Sequence, residues 1–474
     1  MKKTFSILFA LVLVVGLGLT ITASVAAQPG ATYHVSAAGD DDMGDGTVGN
    51  PWRTIQKAID ALNVTGDGDT IMVAAGEYDA FLVEDKANIS IISTEGATIT
   101  TAVFVSDVGG PIEEGWVMAG VSGSENINIE GISFDGTAIS EQAVVGMGYL
   151  DSTGRIAALT VENVAGTVVM GAGVVIADDV GFSDVEITGS NISYNEIGIV
   201  VATYSTQEIR FNNIVNNDLG VVNEGGETPD ATYNWWGDAS GPFHPTGNPG
   251  GSGNPVSDGV DFDPWLEAAS VIRTVTDVPI NALDEADIIV DVTGTATVII
   301  SKYDSDPHAE TLVDAGGTTV DPLQDREWID LSKWIEVKPI YYESDTVLRI
   351  ELYYKDAELA QAAVVAGRQI DESSLRIRWH DPDTGEYEDC SPPGDVETAP
   401  VDGYSGYMWV EVDVDSYPSL AEAQASIETF GGYGHPSEVN GPCGMATLAD
   451  VTPFALVSVG IVAVWATKRK GKVS

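Results

Sequence analysis

The sequence predicts an all-β protein: a coil of short strands, a parallel β-helix, is followed by a β-sandwich-like domain and a C-terminal transmembrane helix. Three observations support this prediction: short β-branched runs broken by Gly, Asn and Asp over 69–222, longer alternating runs after residue 265, and an uncharged segment at 451–467. Short runs that alternate or are wholly apolar are typical of strands. The chain has 474 residues, enough for two or three domains.

Residues 1–27 predict a secretory signal. Two lysines precede an apolar run over 5–20, and small side chains follow at 24–27. This order of basic, apolar and small residues is typical of a cleaved signal peptide, and we expect cleavage after Ala26 or Ala27. The mature chain is therefore expected outside the cytoplasm.

The next segment predicts a helix that covers one end of the strand coil. Between Thr54 and Leu62 the apolar side chains recur at the spacing of one helical face, at Ile55, Ala58, Ile59 and Leu62. A stack of repeats needs a capping element where its first turn would otherwise be open. We therefore expect the coil to begin with this helix.

The strongest internal repeat has a period of 22 residues and aligns DVEITGSNISYNEIGIVV (184–201) with QEIRFNNIVNNDLGVV (207–222). The matched pairs are Ile187 with Ile209, Ile192 with Ile214, Asn195 with Asn217, Gly198 with Gly220, and Ile199 with Val221. A fixed short period of β runs with Asn at the corners predicts a parallel β-helix. Asn tolerates a left-handed bend, and stacked Asn side chains can hydrogen-bond from coil to coil.

Both ends of this coil carry extended motifs. They are Tyr33-His34-Val35-Ser36, Gly46-Thr47, Pro51-Trp52-Arg53-Thr54-Ile55 and Val73-Ala74-Ala75-Gly76-Glu77-Tyr78 at the entrance, and Asn234-Trp235-Trp236-Gly237-Asp238, Ser240-Gly241-Pro242 and Asp263-Pro264-Trp265-Leu266 at the exit. On these motifs, residues 32–266 resemble right-handed parallel β-helix proteins of the pectin-lyase-like superfamily. The resemblance implies a fold rather than one activity, because the same coil serves lyases, hydrolases, epimerases, adhesins and surface spacers.

Residues 270–440 predict a β-sandwich-like module close to the membrane. Its apolar or alternating runs are 288–303, 334–342, 347–354, 375–379 and 407–414, and Gly, Pro and Asp turns separate them. Regular strands between such turns are typical of a β-sandwich. Asp356 to Ala366 predicts a short helix, because Gly367 follows it as a C-terminal capping glycine would.

The same region carries a second set of motifs. They are Ser301-Lys302-Tyr303 with Pro307-His308, Glu351-Leu352-Tyr353-Tyr354 with Asp356-Ala357-Glu358, Asp371-Glu372-Ser373-Ser374-Leu375-Arg376-Ile377, Gly403-Tyr404-Ser405-Gly406-Tyr407, and Pro418-Ser419-Leu420 before Phe430-Gly431-Gly432. With them the region resembles C-terminal modules found near the membrane in prokaryotic surface proteins. This resemblance implies an architecture and no activity.

Residues 451–467 predict a transmembrane anchor, and residues 468–474 a cytoplasmic basic tail. The run has no charged side chain, and four cations follow it, at Lys468, Arg469, Lys470 and Lys472. Its length is at the short limit for a span, and the cations are expected on the cytoplasmic side. The alternative is a buried core helix. We expect a single-pass cell-surface protein with an extracellular N-terminal region.

The net charge of the chain restricts the classes of molecule that it can bind. Asp and Glu number 72 against 21 Lys and Arg, for a net charge of -51, and six of the cations lie in the two apolar end segments and the basic tail. Nucleic acid is excluded as a default partner, because phosphate binding needs clustered cations. Polyanionic polysaccharide is disfavoured unless cations bridge it to the protein. High salt would screen the repulsion on such a surface, and bound calcium would neutralise part of its charge.

No set of catalytic residues stands out on the coil. A lyase acting on uronates needs a base, usually Arg or Lys, and the candidate cations are Lys86, Arg155 and Arg210. We expect Arg210 on a solvated outer face and Lys86 at a turn. A hydrolase needs two carboxylates that face each other across a sugar bond. The acidic group that could supply them is Asp178, Asp179, Asp184 and Glu186.

Metal and disulfide sites are predicted from short motifs. The loop GDDDMGDG at 39–46 offers Asp40, Asp42 and Asp45 as calcium ligands, because calcium prefers oxygen ligands, and a plain polar turn is the alternative. The five histidines show no zinc spacing. Cys390 and Cys443 could form a disulfide in an oxidising compartment, and two buried thiols are the alternative.

Two functions fit the sequence. The first is a surface structural, adhesive or carbohydrate-binding protein that has the membrane and cell-envelope or extracellular polysaccharide as partners. The second is an anchored polysaccharide lyase or glycoside hydrolase, with insertions at 105–125 and 137–157 walling a groove. An aromatic strip in the module could stack on sugars, although such strips more often belong to a core; its members are Trp379, Tyr404, Tyr407 and Trp409.

Overall fold

The computed structural model describes residues 30–434, apart from 64–67, 107–114, 142–143, 168–170, 309–328, 367–368, 383, 402 and 426–428. No helix within these described residues is long and apolar enough to cross a membrane. The predicted signal (1–27), anchor (451–467) and tail (468–474) lie outside them, so all three stay predictions.

The first part of the described chain consists of short strands and one helix. The elements are β1 (Thr32–Val35), α1 (Ile55–Ala61), β2 (Asp69–Val73), β3 (Gly76–Tyr78), β4 (Phe81–Glu84), β5 (Ala87–Ile99), β6 (Val103–Val105), β7 (Gly115–Ser122), β8 (Glu125–Asp135), a 3₁₀ turn (Gly136–Ala138), β9 (Val144–Leu150), β10 (Thr153–Ala157), β11 (Thr160–Glu162), β12 (Ala172–Ala177), β13 (Asp184–Thr188), β14 (Asn191–Ser193), β15 (Ile197–Ala202), β16 (Glu208–Arg210), β17 (Asn213–Val215) and β18 (Leu219–Asn223).

These strands form two sheets in which every pair except β6 with β7 is parallel. The first sheet has the order β1-β2-β5-β8-β10-β13-β16, and β11, β14 and β17 join it beyond a bend. The second sheet has the order β4-β7-β9-β12-β15-β18. Neighbouring strands in each sheet come from successive turns of the chain, which is the topology of a parallel β-helix, as the sequence predicts.

The 22-residue repeat is confirmed as one turn of this coil. Ile187 pairs with Ile209, Ile192 with Ile214 and Ile199 with Val221 in the parallel register. The inward side chains stack in columns, one of which is Ile71, Ile91, Ile129, Ile156, Ile187 and Ile209. All six are fully buried. Each such burial stabilises the fold by roughly 1.5–3 kcal/mol relative to exposure.

Polar side chains form a ladder at each of three corners of the coil. Each side chain accepts a hydrogen bond from a backbone N–H of the preceding turn: Ser124, Ser152, Ser183 and Gln207 at the first corner, Ser190, Asn212 and Asn234 at the second, and Asn195, Asn217 and Asn254 at the third. All of them are buried. The predicted pairing of Asn195 with Asn217 is confirmed, since the Asn195 amide donates to Asn217 Oδ1 at 3.1 Å.

The left-handed bend itself lies one residue earlier than the sequence predicts. Tyr194 and Asn216, which precede the ladder residues Asn195 and Asn217, have φ of 57° and 58°. At the second corner Gly189, Phe211 and Tyr233 have the same conformation. The prediction that Asn lies at the corner is therefore correct, but the prediction that the same Asn adopts the left-handed conformation is wrong. The ladder Asn instead accepts a hydrogen bond from the N–H group that the bend leaves unpaired.

The predicted capping helix is confirmed as α1. Thr54 is its N-cap and accepts a hydrogen bond from the Lys57 N–H. Ile55, Ala58 and Ile59 are buried against the first turn of the coil. At the other end, Lys86 Nζ donates to the Leu62 carbonyl at 2.7 Å, so a side chain of the coil ties down the end of the cap.

The second part of the described chain contains longer, antiparallel strands. The elements are β19 (Val271–Thr276), β20 (Pro279–Ala282), α2 (Leu283–Ala286), β21 (Ile288–Thr293), β22 (Thr295–Tyr303), β23 (Ile329–Tyr342), β24 (Val347–Tyr354), α3 (Asp356–Ala366), a 3₁₀ turn (Glu372–Ser374), β25 (Arg376–Asp381), β26 (Glu386–Asp389), β27 (Asp395–Glu397), β28 (Gly406–Val412), α4 (Leu420–Ala425) and β29 (Thr429–Gly434). The predicted helix at Asp356 to Ala366 is confirmed as α3.

Two antiparallel sheets share one apolar core in this region. Their orders are β19-β22-β23-β29-β25-β26 and β20-β21-β24-β28-β27. The sequence predicts one strand over 288–303, and this is wrong: Gly294, with φ of +81°, separates β21 from β22, which belong to different sheets. Glycine adopts this conformation at no steric cost, so the chain can pass from one sheet to the other there.

The antiparallel region packs against the first sheet of the coil. An apolar cluster joins Ala157 and Phe211 of the coil to Ile299, Tyr303, Trp334 and Ile340. Asn213 exchanges two hydrogen bonds with the backbone of Ser270, each of 2.9 Å. A Cβ on Gly189 would lie 2.2 Å from Ile299 Cδ1, so only glycine permits this approach. Phe211 therefore faces the module, not the core of the coil.

We expect the corner ladder to control stability. In Asn212→Ala the Ser190 N–H and the Ile187 carbonyl lose their partners at 2.9 and 2.8 Å in a fully buried corner. Two unpaired buried groups should lower the free energy of unfolding by about 2–5 kcal/mol. Denaturant unfolding would measure the loss. The matched control is Asn128→Ala, whose amide makes only a 3.4 Å contact with Ser90, and equal losses in both variants would refute the ladder's importance.

Candidate binding cleft

The coil arginines that could serve as a lyase base are engaged in ion pairs on the first sheet. Arg155 pairs with Glu130, and its Nη2 also donates to the Ile340 carbonyl of the module at 3.4 Å. Burial raises the pKa of Glu130, although Arg155 opposes this shift. Arg155 therefore neutralises a buried acid beneath the module.

Arg210 is likewise paired, with Asp230. Burial alone would raise the pKa of Asp230, but hydrogen bonds from Arg210 and Thr232 outweigh it and lower the pKa. The prediction of a solvated Arg210 is therefore wrong, because about four fifths of its side chain is covered. Lys86, the third candidate base, binds the end of the capping helix as described above.

Two members of the predicted acidic group, Asp178 and Glu186, make structural contacts, while Asp179 and Asp184 are exposed. The Asp178 carboxylate accepts hydrogen bonds from the backbone N–H groups of Ser183 and Tyr204. Glu186 lies 3.5 Å from Lys338 of the module. Asp178 therefore stabilises a loop, and Glu186 lies at the interface with the module.

The acidic loop at 39–46 is a hydrogen-bonded turn. Asp40 accepts from the N–H groups of Asp42 and Met43, and these bonds lower the pKa of Asp40. Asp45 accepts from Thr47. Among the described residues, no three His, Cys, Asp or Glu side chains come together as metal ligands. The calcium assignment to Asp40, Asp42 and Asp45 stays a prediction.

A fourth acid of this loop, Asp41, has a structural role that the sequence analysis does not predict. Asp41 accepts three hydrogen bonds, from the N–H groups of Arg53 and Thr54 and from the Thr54 hydroxyl. It thereby fixes the N-cap of α1. The signal was present in the sequence, because Thr54 begins a helix, but no local pattern connects it to an acid thirteen residues earlier.

Of the two predicted disulfide partners, Cys390 alone lies among the described residues. Cys390 is buried, and burial raises the pKa of its thiol to about 12. Cys443 lies outside the described residues, so the disulfide with Cys390 stays a prediction.

The aromatic strip is split between two environments. Trp379 is buried in the core of the module. Tyr404 and Trp409 are partly exposed, but cations cover them: Lys355 Nζ lies 4.6 Å from the Tyr404 ring centre, and Arg349 lies 3.9 Å from that of Trp409. Cation–π pairing therefore covers one face of each of these two rings.

A cleft of about 370 Å³ lies on the outer face of the second sheet, where β4, β7 and β9 run side by side. Small-molecule sites have volumes of roughly 300–1,000 Å³. The lining residues are Leu82, Glu84, Phe104, Val105, Ser106, Val117, Gly120, Val121, Ser122, Gly148 and Leu150. The cleft and the paired arginines thus lie on different sheets.

Two glycines in register leave room for this cleft. Gly120 pairs with Gly148, and the same outward column continues at Val175 and Val200. A Cβ added at Gly148 would meet no atom closer than 3.8 Å. The space above Gly148 is therefore open.

The far wall of the cleft is β6, which pairs antiparallel with the start of β7. Phe104 projects from it with 49% of its surface exposed, and its ring contacts Trp116 edge-on at 5.9 Å. The sequence assigns the walls to insertions at 105–125 and 137–157. The cleft is lined by Val105, Ser106 and Ser122 from the first range and by Gly148 and Leu150 from the second. The described parts of both ranges include the coil strands β7, β9 and β10.

The polar groups of the cleft are few. Among the described residues that line it, Glu84 is the only charged one, and Ser106 and Ser122 supply hydroxyls. Aliphatic and aromatic walls with a few hydrogen-bonding groups are typical of binding sites. The described lining residues therefore do not include the pair of carboxylates that glycoside hydrolysis requires.

The strands and the cleft define a parallel β-helix protein. Residues 37–233, less than half of the chain, match a family described as a protein of unknown function (DUF1565). No curated protein matches the chain.

Two solved structures are similar over part of the chain. The GH136 lacto-N-biosidase from Eubacterium ramulus is 10% identical with a TM-score of 0.32, and the match covers 49% of this chain and 59% of that one. XylC in complex with xylose is 13% identical with a TM-score of 0.22, with 43% and 66% covered. The chain thus spans less than two thirds of the length of either protein.

Two histidines that the sequence leaves unassigned stack in the antiparallel region. The ring centres of His308 and His380 lie 3.5 Å apart and the rings are nearly parallel. Asp306 accepts a hydrogen bond from the Tyr387 hydroxyl beside them. Burial, with His380 as the second cause, lowers the pKa of His308 to about 4. Burial also lowers the pKa of His380.

We expect His308 to make the stability depend on pH. An unfolded histidine takes up a proton below about pH 6.5, whereas folded His308 does so only near pH 4. Its contribution to the free energy of unfolding is complete above the first value and is lost as the pH falls towards the second. Denaturant unfolding should show the wild type losing stability relative to His308→Gln over this range. His34→Gln is the control variant. The assignment of the pH dependence to His308 would be contradicted if the stability difference between the wild type and His308→Gln did not change with pH. It would also be contradicted if the wild type lost just as much stability relative to His34→Gln.

Proposed function

We propose that the protein is a cell-surface carbohydrate-binding protein that binds sugars without cleaving them. In this proposal a right-handed parallel β-helix is followed along the chain by a β-sandwich-like module and a membrane anchor. The observation that carries the proposal is the chemistry of the cleft, in which Glu84 is the only charged group among the described lining residues. Sugar C–H faces suit its apolar walls, and sugar hydroxyls suit Glu84, Ser106 and Ser122.

The contacts of the cations favour binding over lyase chemistry. Proton abstraction next to a uronate carboxylate needs a base that is free to approach the sugar. Arg155 and Arg210 are instead held by Glu130 and Asp230 on the first sheet, beside the module. Uronates would also be repelled by Glu84 in a chain with a net charge of -51.

We expect Gly148→Leu to abolish sugar binding, because its side chain would fill the open space above the sheet. Isothermal titration of the full-length chain with neutral and uronic oligosaccharides would measure affinity, and product analysis would measure cleavage. The matched control is Gly250→Leu, at a position where a Cβ meets no atom within 4 Å. Cleavage of any of these sugars by the wild type would overturn the proposal in favour of an anchored hydrolase or lyase.

The surface location is tested separately. Residues 451–467 carry no charge and precede four cations, which supports an anchor with a cytoplasmic tail. We expect the full chain to fractionate with membranes and to be accessible to protease from outside intact cells. A chain that ends at residue 450 should be released into the medium. Retention of that shortened chain in the membrane fraction would contradict the anchor.

A further inference from the structure

Three large apolar side chains are exposed on two adjacent loops of the coil. Val180 and Phe182 lie in the loop after β12, with 90% and 62% of their surfaces exposed, and Tyr204 lies in the loop after β15 with 78% exposed. We refer to Val180, Phe182 and Tyr204 as the apolar ridge. Single exposed apolar side chains are common on protein surfaces, whereas a group of them on adjacent loops indicates an interaction site.

Carboxylates fix the backbone of the ridge. Asp151 accepts hydrogen bonds from the N–H groups of Asp179 and Val180, at 2.8 and 3.1 Å. Asp178 accepts from the N–H groups of Ser183 and Tyr204, at 2.5 and 2.8 Å. Asp178 therefore ties the two loops to each other. A surface ordered before binding loses less conformational entropy on binding.

The ridge continues the cleft along the coil. Leu150, which lines the cleft, pairs with Ala177, and Ala177 pairs with Ala202 on the next strand. The ridge loops begin directly after Ala177 and Ala202. The cleft thus occupies the turns of β4, β7 and β9, and the ridge occupies the next two turns at the same edge of the second sheet.

Area and charge restrict the partner of the ridge. Three side chains expose at most about 500 Å², less than the roughly 800 Å² per partner that a stable protein interface buries. A second copy of the chain would bring another net charge of -51, and an anionic polymer would meet Asp151 and Asp178 behind the ridge. A neutral glycan needs only a small contact area for each sugar ring and is not repelled by the acidic surface.

We propose that the ridge binds a neutral glycan chain that extends from the cleft along the coil axis. This inference rests on the proposed function, because the cleft holds one end of the same chain. Neighbouring strands lie about 4.8 Å apart. The loops after β12 and β15 therefore present Phe182 and Tyr204 one turn apart, where each ring can stack on a sugar further along the glycan.

The test is the dependence of affinity on glycan length. Titration of the full-length chain uses neutral xylo-, manno- and cello-oligosaccharides from two to six sugars. In the wild type, affinity should rise with length beyond the sugar that fills the cleft. In Phe182→Ser/Tyr204→Ser, affinity for the longest oligomer should fall roughly tenfold or more, while affinity for the shortest stays unchanged. Phe243→Ser, at an exposed phenylalanine outside the ridge, should resemble the wild type.

Each outcome separates the two proposals. Short sugars that bind with no gain from length, or a double variant that matches the wild type at every length, would overturn the glycan ridge and leave the cleft intact. Failure of the whole neutral series to bind would overturn both proposals. Binding of a uronic or sulfated series through the ridge would overturn the assignment to an uncharged chain.

Discussion

The hydrogen bond from each bend to the next turn is the interaction on which the rest of the structure depends. A coil that turns three corners per repeat leaves a backbone N–H unpaired at each corner, inside the apolar stack. Ser152, Asn212 and Asn217 accept these N–H groups from the turn before. Because acceptor and donor belong to successive turns, each ladder fixes the register of the turns, and the register in turn aligns the isoleucine columns and the Gly120–Gly148 pair.

The two sheets of the coil then take different roles. The first sheet carries Arg155 and Arg210 on its outer face, where each forms an ion pair with an acid of the coil. An apolar cluster shared with the module lies beside these ion pairs, so this face of the coil is an internal interface. The second sheet carries small and aliphatic side chains outward, in the columns that include Gly148 and Val175. Polar groups that are costly to bury are therefore gathered where partners for them exist, and the sheet with few polar groups is the one that bears the cleft.

The sequence predicts those features that local spacing encodes. The 22-residue repeat, the capping helix from Thr54 and the helix from Asp356 all depend on neighbours along the chain, and all three are confirmed. The ion pair of Arg210 with Asp230 and the support of α1 by Asp41 depend on which turns become neighbours, which a single sequence does not reveal. The cleft is harder still to foresee, because Gly120 and Gly148 are ordinary strand glycines until their register makes one space of them.

The acidity of the chain takes on a definite meaning in this arrangement. Several of its carboxylates accept hydrogen bonds from the backbone of their own loop, as Asp40 does, or of a neighbouring loop, as Asp151 and Asp178 do. These carboxylates therefore act as structural acceptors as well as charges. Their summed field nevertheless extends over the surface and disfavours anionic partners. In the proposed function, attraction at the cleft and the ridge comes from apolar contact and neutral hydrogen bonds, which salt screens little. A binding surface of that kind works at high ionic strength, where one built on ion pairs would weaken.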